Sequence, residues 1–285
     1  HGQSLGGMFA SVVVLLSLTY TSAKNIVDSF LRTYNYKVRR KDDHIYISSG
    51  AIKIRSYSVP VKQIQALRFQ STLLGRFMGR VSVSVINVSG EGEDVDGQWL
   101  FPSIEKDRIK DLMKQVLPEI PLVEEEDMIF RPQKSMIRSI IWTVFSVLII
   151  SVLAFVMYNE TTDGFYQEIG FLSKEIVGVL LPIAIVIVLM IWIVIDVVRQ
   201  STEKILILDD RVAVRKGSLS WQQIEVSYDK IQMLGVEENV IDRLLQVKRG
   251  RINLLASMVA SNQEIPEFDA KVLEELQEKY RATIK

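Results

Sequence analysis

Residues 49–86, SGAIKIRSYSVPVKQIQALRFQSTLLGRFMGRVSVSVI, return 167 positions later within residues 216–254, KGSLSWQQIEVSYDKIQMLGVEENVIDRLLQVKRGRINL. Without a gap, 37–85 lies over 204–252. Lys37/Lys204, Asp42/Asp209, Asp43/Asp210, Gly50/Gly217, Val59/Val226, Ile64/Ile231, Gln65/Gln232, Leu67/Leu234 and Arg76/Arg243 are identical. Ile45/Val212, Ile47/Val214, Phe77/Leu244, Met78/Leu245 and Val85/Ile252 stay apolar. Nine identities in 49 positions, with the strand alternation in phase, read as one fold used twice.

Within a copy the period is two. HIYIS, a turn at Ser49 and Gly50, and AIKIRSYSV form a β-hairpin, VKQIQALRF a further strand, and VSVSVINV a half-buried strand. STLLGRFMG between them is a short turn or helical corner, and GEGEDVDG (90–97) a solvated loop before QWLF. Pro102 and Ser103 are expected to open a closing helix through IEKDRIKDLMKQVL, and the proline of IPEFDAKVLEELQ to do the same in the second copy. Arg76 and Arg243 recur at one corner, which suggests a structural hydrogen-bonding role common to both copies. Gln246 stands where the first copy has Gly79, so the second corner is expected to differ in shape.

Outward from the repeat lie two uncharged runs of twenty residues, 139–158 and 176–195. At about 1.5 Å per residue each spans the roughly 30 Å core of a bilayer. Arg131, Lys134, Arg138, Arg199 and Lys204 flank the outer ends of this pair, while 159–175 carries four acids and one lysine. Basic flanks mark the cytoplasmic side, so the connector should face outward. A third apolar helix is expected over 5–31, leaving inward before the basic run KVRRKDD (37–43). The 167-residue offset lays it over 172–198, so the chain is expected to begin within a repeat unit, with an outward-going helix before residue 1. The expected division is a membrane helix at 1–33, a first domain at 34–119, a polar linker at 120–135, a membrane hairpin at 136–199 and a second domain at 200–285.

The glycine that ends each hairpin, the Ile-Gln of the next strand and the Arg-Leu-Leu-like corner before a basic-apolar strand resemble the type 2 bacterial pleckstrin-homology domains of YdbT-like membrane proteins. The resemblance covers nearly the whole chain. It implies tandem partly open β-barrels, each capped by a C-terminal helix and joined by a transmembrane helical hairpin in the bacterial cytoplasmic membrane. It further implies a role in envelope maintenance or resistance to membrane-active compounds, and a related membrane protein as partner.

Chemistry is sparse. There are no cysteines and two histidines, and the 34 basic and 34 acidic residues cancel, which disfavours thiolate chemistry, a histidine-based triad and nucleic-acid binding. No metal or cofactor is expected. Anionic lipid or a partner protein is expected at the basic clusters Arg39, Arg40, Lys41 and Lys248, Arg249, Arg251. The expected function is a non-enzymatic membrane protein that binds through its tandem domains, alone or as an oligomer. The alternative is a transporter or lipid-handling protein gated by the barrels, with Lys24, Asp28 and Asp196 facing a cavity.

Overall fold

The computed structural model describes residues 34–51, 54–87, 98–160, 174–255 and 262–284, with five helical positions between 13 and 20. The first helix with Lys24 and Asp28, the loop 90–97 and most of the connector lie outside the described residues.

The first domain carries β1 (Lys37–Lys41), β2 (His44–Ser49), β3 (Arg55–Pro60), β4 (Ile64–Ser71), α1 (Leu73–Phe77), β5 (Arg80–Asn87), β6 (Gln98–Glu105) and α2 (Ile109–Val116). After β7 (Ile129–Phe130) come two long helices, α3 (Gln133–Glu160) and α4 (Lys174–Thr202). The second domain then repeats the order: β8 (Lys204–Ile207), β9 (Arg211–Gly217), β10 (Trp221–Ser227), β11 (Ile231–Glu237), α5 (Val240–Leu245), β12 (Val247–Leu254), β13 (Asn262–Asp269) and α6 (Ala270–Ile284).

The repeat extends to single hydrogen bonds. Val61 N–H donates to Asp43 O at 2.8 Å, and Tyr228 N–H to Asp210 O at 3.0 Å. Gly50 and Gly217 share φ near 120°. An alanine Cβ at Gly217 would stand 2.3 Å from Ser220 O, so the turn requires glycine in both backbone angle and space. The corners are also alike, against expectation: Gly79 has φ 62° and Gln246 φ 57°, so glutamine takes the left-handed conformation itself. Thr72 and Asn239 cap α1 and α5 in the same way, each accepting a backbone N–H three residues on.

Two expectations need correction. KVRRK is strand β1 rather than only a basic flank, pairing with β2 from Lys37↔Ser48 to Lys41↔His44. Pro102 and Pro266 do not start helices; each lies inside the last strand of its domain, and α2 and α6 begin only at Ile109 and Ala270. β6 and β13 are sheet edges, where a missing N–H can leave the ladder intact. Among the described residues the strands form sheets β1-β2-β3 and β11-β12-β13 and a seven-stranded sheet β6-β5-β4-β10-β9-β8-β7.

That seven-stranded sheet joins the domains. β4 of the first pairs antiparallel with β10 of the second, from Ser71↔Trp221 to Ala66↔Val226. Its two faces serve two cores. Leu67, Phe69, Val83 and Val85 pack with Ile45, Ile47, Val59, Leu100 and Met113 of the first domain. Ala66 and Ile86 pack instead with Val212, Val226, Ile252, Phe268 and Leu276 of the second.

α3 and α4 lie against each other as a hairpin. Candidate spans cover Gln133–Val156 and Gly178–Thr202, and their apolar side chains, Phe145, Leu148, Phe155, Val186 and Met190 among them, stay exposed all round. A helix apolar on every face without protein cover is suited to lipid.

Candidate functional site

The domain-side ends of the spans are bolted to the second domain by buried charges. Arg131, just before α3, lies 2.7 Å from Glu267 of β13, 3.3 Å from Glu203 and 3.8 Å from Asp196 of α4. Its backbone N–H donates to Glu203 O at 3.0 Å, and Gln200 donates to its carbonyl. One turn into α3, Ser135 Oγ donates to Glu267 O at 3.2 Å, and Arg138 pairs with Glu267 and with the fully buried Asp242 of α5. Asp242 also receives Arg249 at 3.4 Å and closes the capping box with Asn239. Arginine suits this position because its planar donors can serve several carboxylates at once. Burial raises Glu203 above the usual carboxylate range, with Arg131 opposing.

Beside this network a cleft of about 670 Å³ opens between Gln70–Thr72 of the first domain and Trp221, Arg249, Arg251 and Glu264 of the second, with Arg199 of α4 at its rim. Its charges are mixed, since Arg199, Lys216, Arg249 and Arg251 face Glu203, Glu237, Glu264 and Glu267.

On the joint sheet, Glu125 from the segment before β7 meets three cations: Arg215 at 2.6 Å, Lys106 at 2.8 Å and Lys204 at 3.1 Å. Burial pushes its carboxyl up, but the three cations together outweigh it and hold the group far below the ordinary range. Arg215 stacks on Trp221, 4.4 Å from the ring centre, and donates twice to Gln223, which donates to Glu225 at 2.7 Å. Burial dominates at Glu225 and pushes its pKa up to about 7.

Strand alternation divides the basic clusters. Arg40 turns inward, donating to Val116 O at 3.0 Å and pairing with Glu119. Arg39 and Lys41 point outward with Lys37, on a sheet face shared by Tyr46, Ser48, Ser56 and Ser58. In the second cluster, Lys248 meets Glu274 at 2.8 Å, Arg249 meets Asp242, and Arg251 lies 3.9 Å from Glu237. Asp196 lies 3.8 Å from Arg131, while Arg199 lies 3.9 Å from Glu203. Arg76 and Arg243 differ too. Arg76 donates to Ser218 O of the other domain at 2.6 Å; Arg243 meets its neighbour Glu238 at 3.1 Å.

The short corner helices carry an apolar pair each. Leu74 and Phe77 of α1 are 72% and 83% exposed, and Val240 and Leu244 of α5 are 85% and 83% exposed. α5 packs on the domain-side part of α3 through Arg138 and Asp242. Among the described residues no three His, Cys, Asp or Glu side chains gather as a metal site.

Comparison with known proteins agrees with this organisation. The family model described as "Bacterial PH domain" matches twice, over residues 4–120 and 122–284. The UPF0699 transmembrane protein YdbT of Bacillus subtilis (strain 168) is 26% identical over 184 residues, covering 62% of this chain and 34% of its own length. The chain thus matches about a third of that relative. No solved structure matches.

Proposed function

The chain belongs to the bacterial PH domain family, and on that premise we propose that it is a non-enzymatic platform in the bacterial cytoplasmic membrane whose tandem domains lie on the inner bilayer surface and bind anionic lipid headgroups. The carrying observation is the corner α5, attached to the base of a span with Val240 and Leu244 exposed one helical turn apart. At that depth two large apolar side chains belong in the interface between headgroups and acyl chains. The repeat gives α1 a like pair, Leu74 and Phe77, exposed in the same way. Between such contacts, the outward face with Lys37, Arg39 and Lys41 offers cations worth about 1 kcal/mol each against an anionic surface. Arg249 and Arg251 contribute less on this reading, because each already faces a carboxylate. The role in envelope maintenance belongs to the same proposal.

The test uses the full chain in lipid nanodiscs. The chain has no cysteine, so a single Leu244→Cys can carry an environment-sensitive dye. Brominated lipids should quench that dye and spare one at Glu275 on α6. Equal quenching at both sites sinks the seating. Hydrogen exchange of residues 37–58 should slow in phosphatidylglycerol relative to phosphatidylcholine, and Lys37→Gln/Arg39→Gln/Lys41→Gln should abolish the difference. Identical exchange in the two lipids rejects the headgroup reading. The transport alternative has less support, since Asp196 is engaged by Arg131 among buried groups.

A further inference from the structure

The joint between β4 and β10 brings together two different repeat edges. β4 is the first strand of one unit's second sheet, and β10 the last strand of the other unit's first sheet. Under the 167-residue equivalence, β4 corresponds to β11 and β10 to β3. Among the described residues β3 pairs only with β2 and β11 only with β12, so each has an outer edge without a strand. These edges are the two halves of the joint already made once within the chain.

We propose that the chain assembles head to tail, β11 of one copy pairing antiparallel with β3 of a second copy in the register of the β4–β10 joint. Within the chain, Arg68 stands opposite Ile224, Phe69 opposite Gln223 and Gln70 opposite Gln222. Transferred by the repeat, Gly235 stands opposite Tyr57, Val236 opposite Ser56 and Glu237 opposite Arg55. The last pair sets an acid against a base where the internal joint has two glutamines, a favourable cross-strand combination.

Groups around the made joint have unengaged counterparts at the open edges. Trp221, at the start of β10, packs against the first domain's core, whereas its counterpart Ile54 is 74% exposed. Ala66 is buried in the second domain's core, whereas its counterpart Met233 is half-exposed. Arg76 crosses to Ser218 O; its counterpart Arg243 is exposed and meets only its neighbour Glu238 by ion pair among the described residues. Tyr280 Oη donates to Ile231 O and Gln232 O, just short of 233–238, the stretch that pairing would use.

Each copy would use two different edges, so every added copy leaves one edge of each kind open until the rotation closes a ring. The operator relating the domains also keeps both at one end of the α3–α4 hairpin. Repeating it lays further copies side by side along the membrane, as a row or a ring.

The absence of cysteine makes the test direct. The full chain carrying Ser56→Cys and Val236→Cys, oxidised in native membranes, should give a ladder of dimers, trimers and larger species on a non-reducing gel. A mismatched pair, Tyr46→Cys with Val236→Cys, should give no ladder. Glu237→Arg should reduce the ladder at least tenfold, and adding Arg55→Glu should restore it, a rescue that misfolding cannot imitate. A ladder of equal yield from the mismatched pair, dimers in equal yield from either single cysteine, or a monomeric mass in native mass spectrometry with no ladder overturns the proposal.

Discussion

Gln246 occupies a left-handed backbone conformation that its counterpart leaves to Gly79. For a side chain with a Cβ that region costs about 1–2 kcal/mol, so Gln246→Gly should stabilise the chain by about 1 kcal/mol after glycine's greater entropy loss, read as a rise in melting temperature in detergent. Glu225 gives a pH signature. Its carboxyl ordinarily titrates near 4.5 and is pushed to about 7 by burial on the joint sheet. Folding therefore raises its proton affinity. The contribution is fully present below pH about 4.5 and is lost as pH rises through 7, roughly 3 kcal/mol at most. Glu225→Gln should flatten the fall in melting temperature between pH 5 and 8; an unchanged slope would contradict the assignment. Arg131 carries the largest expected loss. Arg131→Met leaves Asp196, Glu203 and Glu267 without their shared cation, and removing one partner of a buried charge cluster costs about 3–5 kcal/mol.

At the scale of elements, β4 is buried on both faces because it belongs to two cores, which accounts for its unbroken run of buried residues from Ile64 to Phe69. A strand of that kind tends to read as a continuous apolar run; IQALRF departs from this at Gln65 and Arg68, which are buried all the same. The segment before β7 touches both domains, through Glu125 to Lys106 of one and to Lys204 and Arg215 of the other. Glu125→Gln should speed hydrogen exchange in both β6 and β9, on opposite sides of the joint, while leaving α6 unchanged. A change confined to one domain would argue that the segment does not couple them.

At the scale of the molecule, one sheet through both domains predicts one unfolding event rather than two. Calorimetry of the whole chain should give a single transition for the sheet domains, and Trp221→Ala, which empties the contact between β10 and the first core, should split it. Two separated transitions in the unaltered chain would contradict the joint. The sequence by itself determined the long uncharged runs, the turn glycines, the alternating strands and the twofold use of one fold, because hydropathy period and turn chemistry are local properties of side chains. It misjudged where α2 and α6 begin, since a proline suits both a helix's first turn and an edge strand. Only the tertiary structure decided which edge meets which. Strand pairing uses backbone groups that nearly every residue carries, so the β4–β10 joint leaves little signature in residue types. The same holds for the charges at the base of the spans. Arg131 looked like a topology marker, and its partners Asp196, Glu203 and Glu267 lie 65 to 136 positions away, brought to it by the return of α4 and the last strand of the second domain.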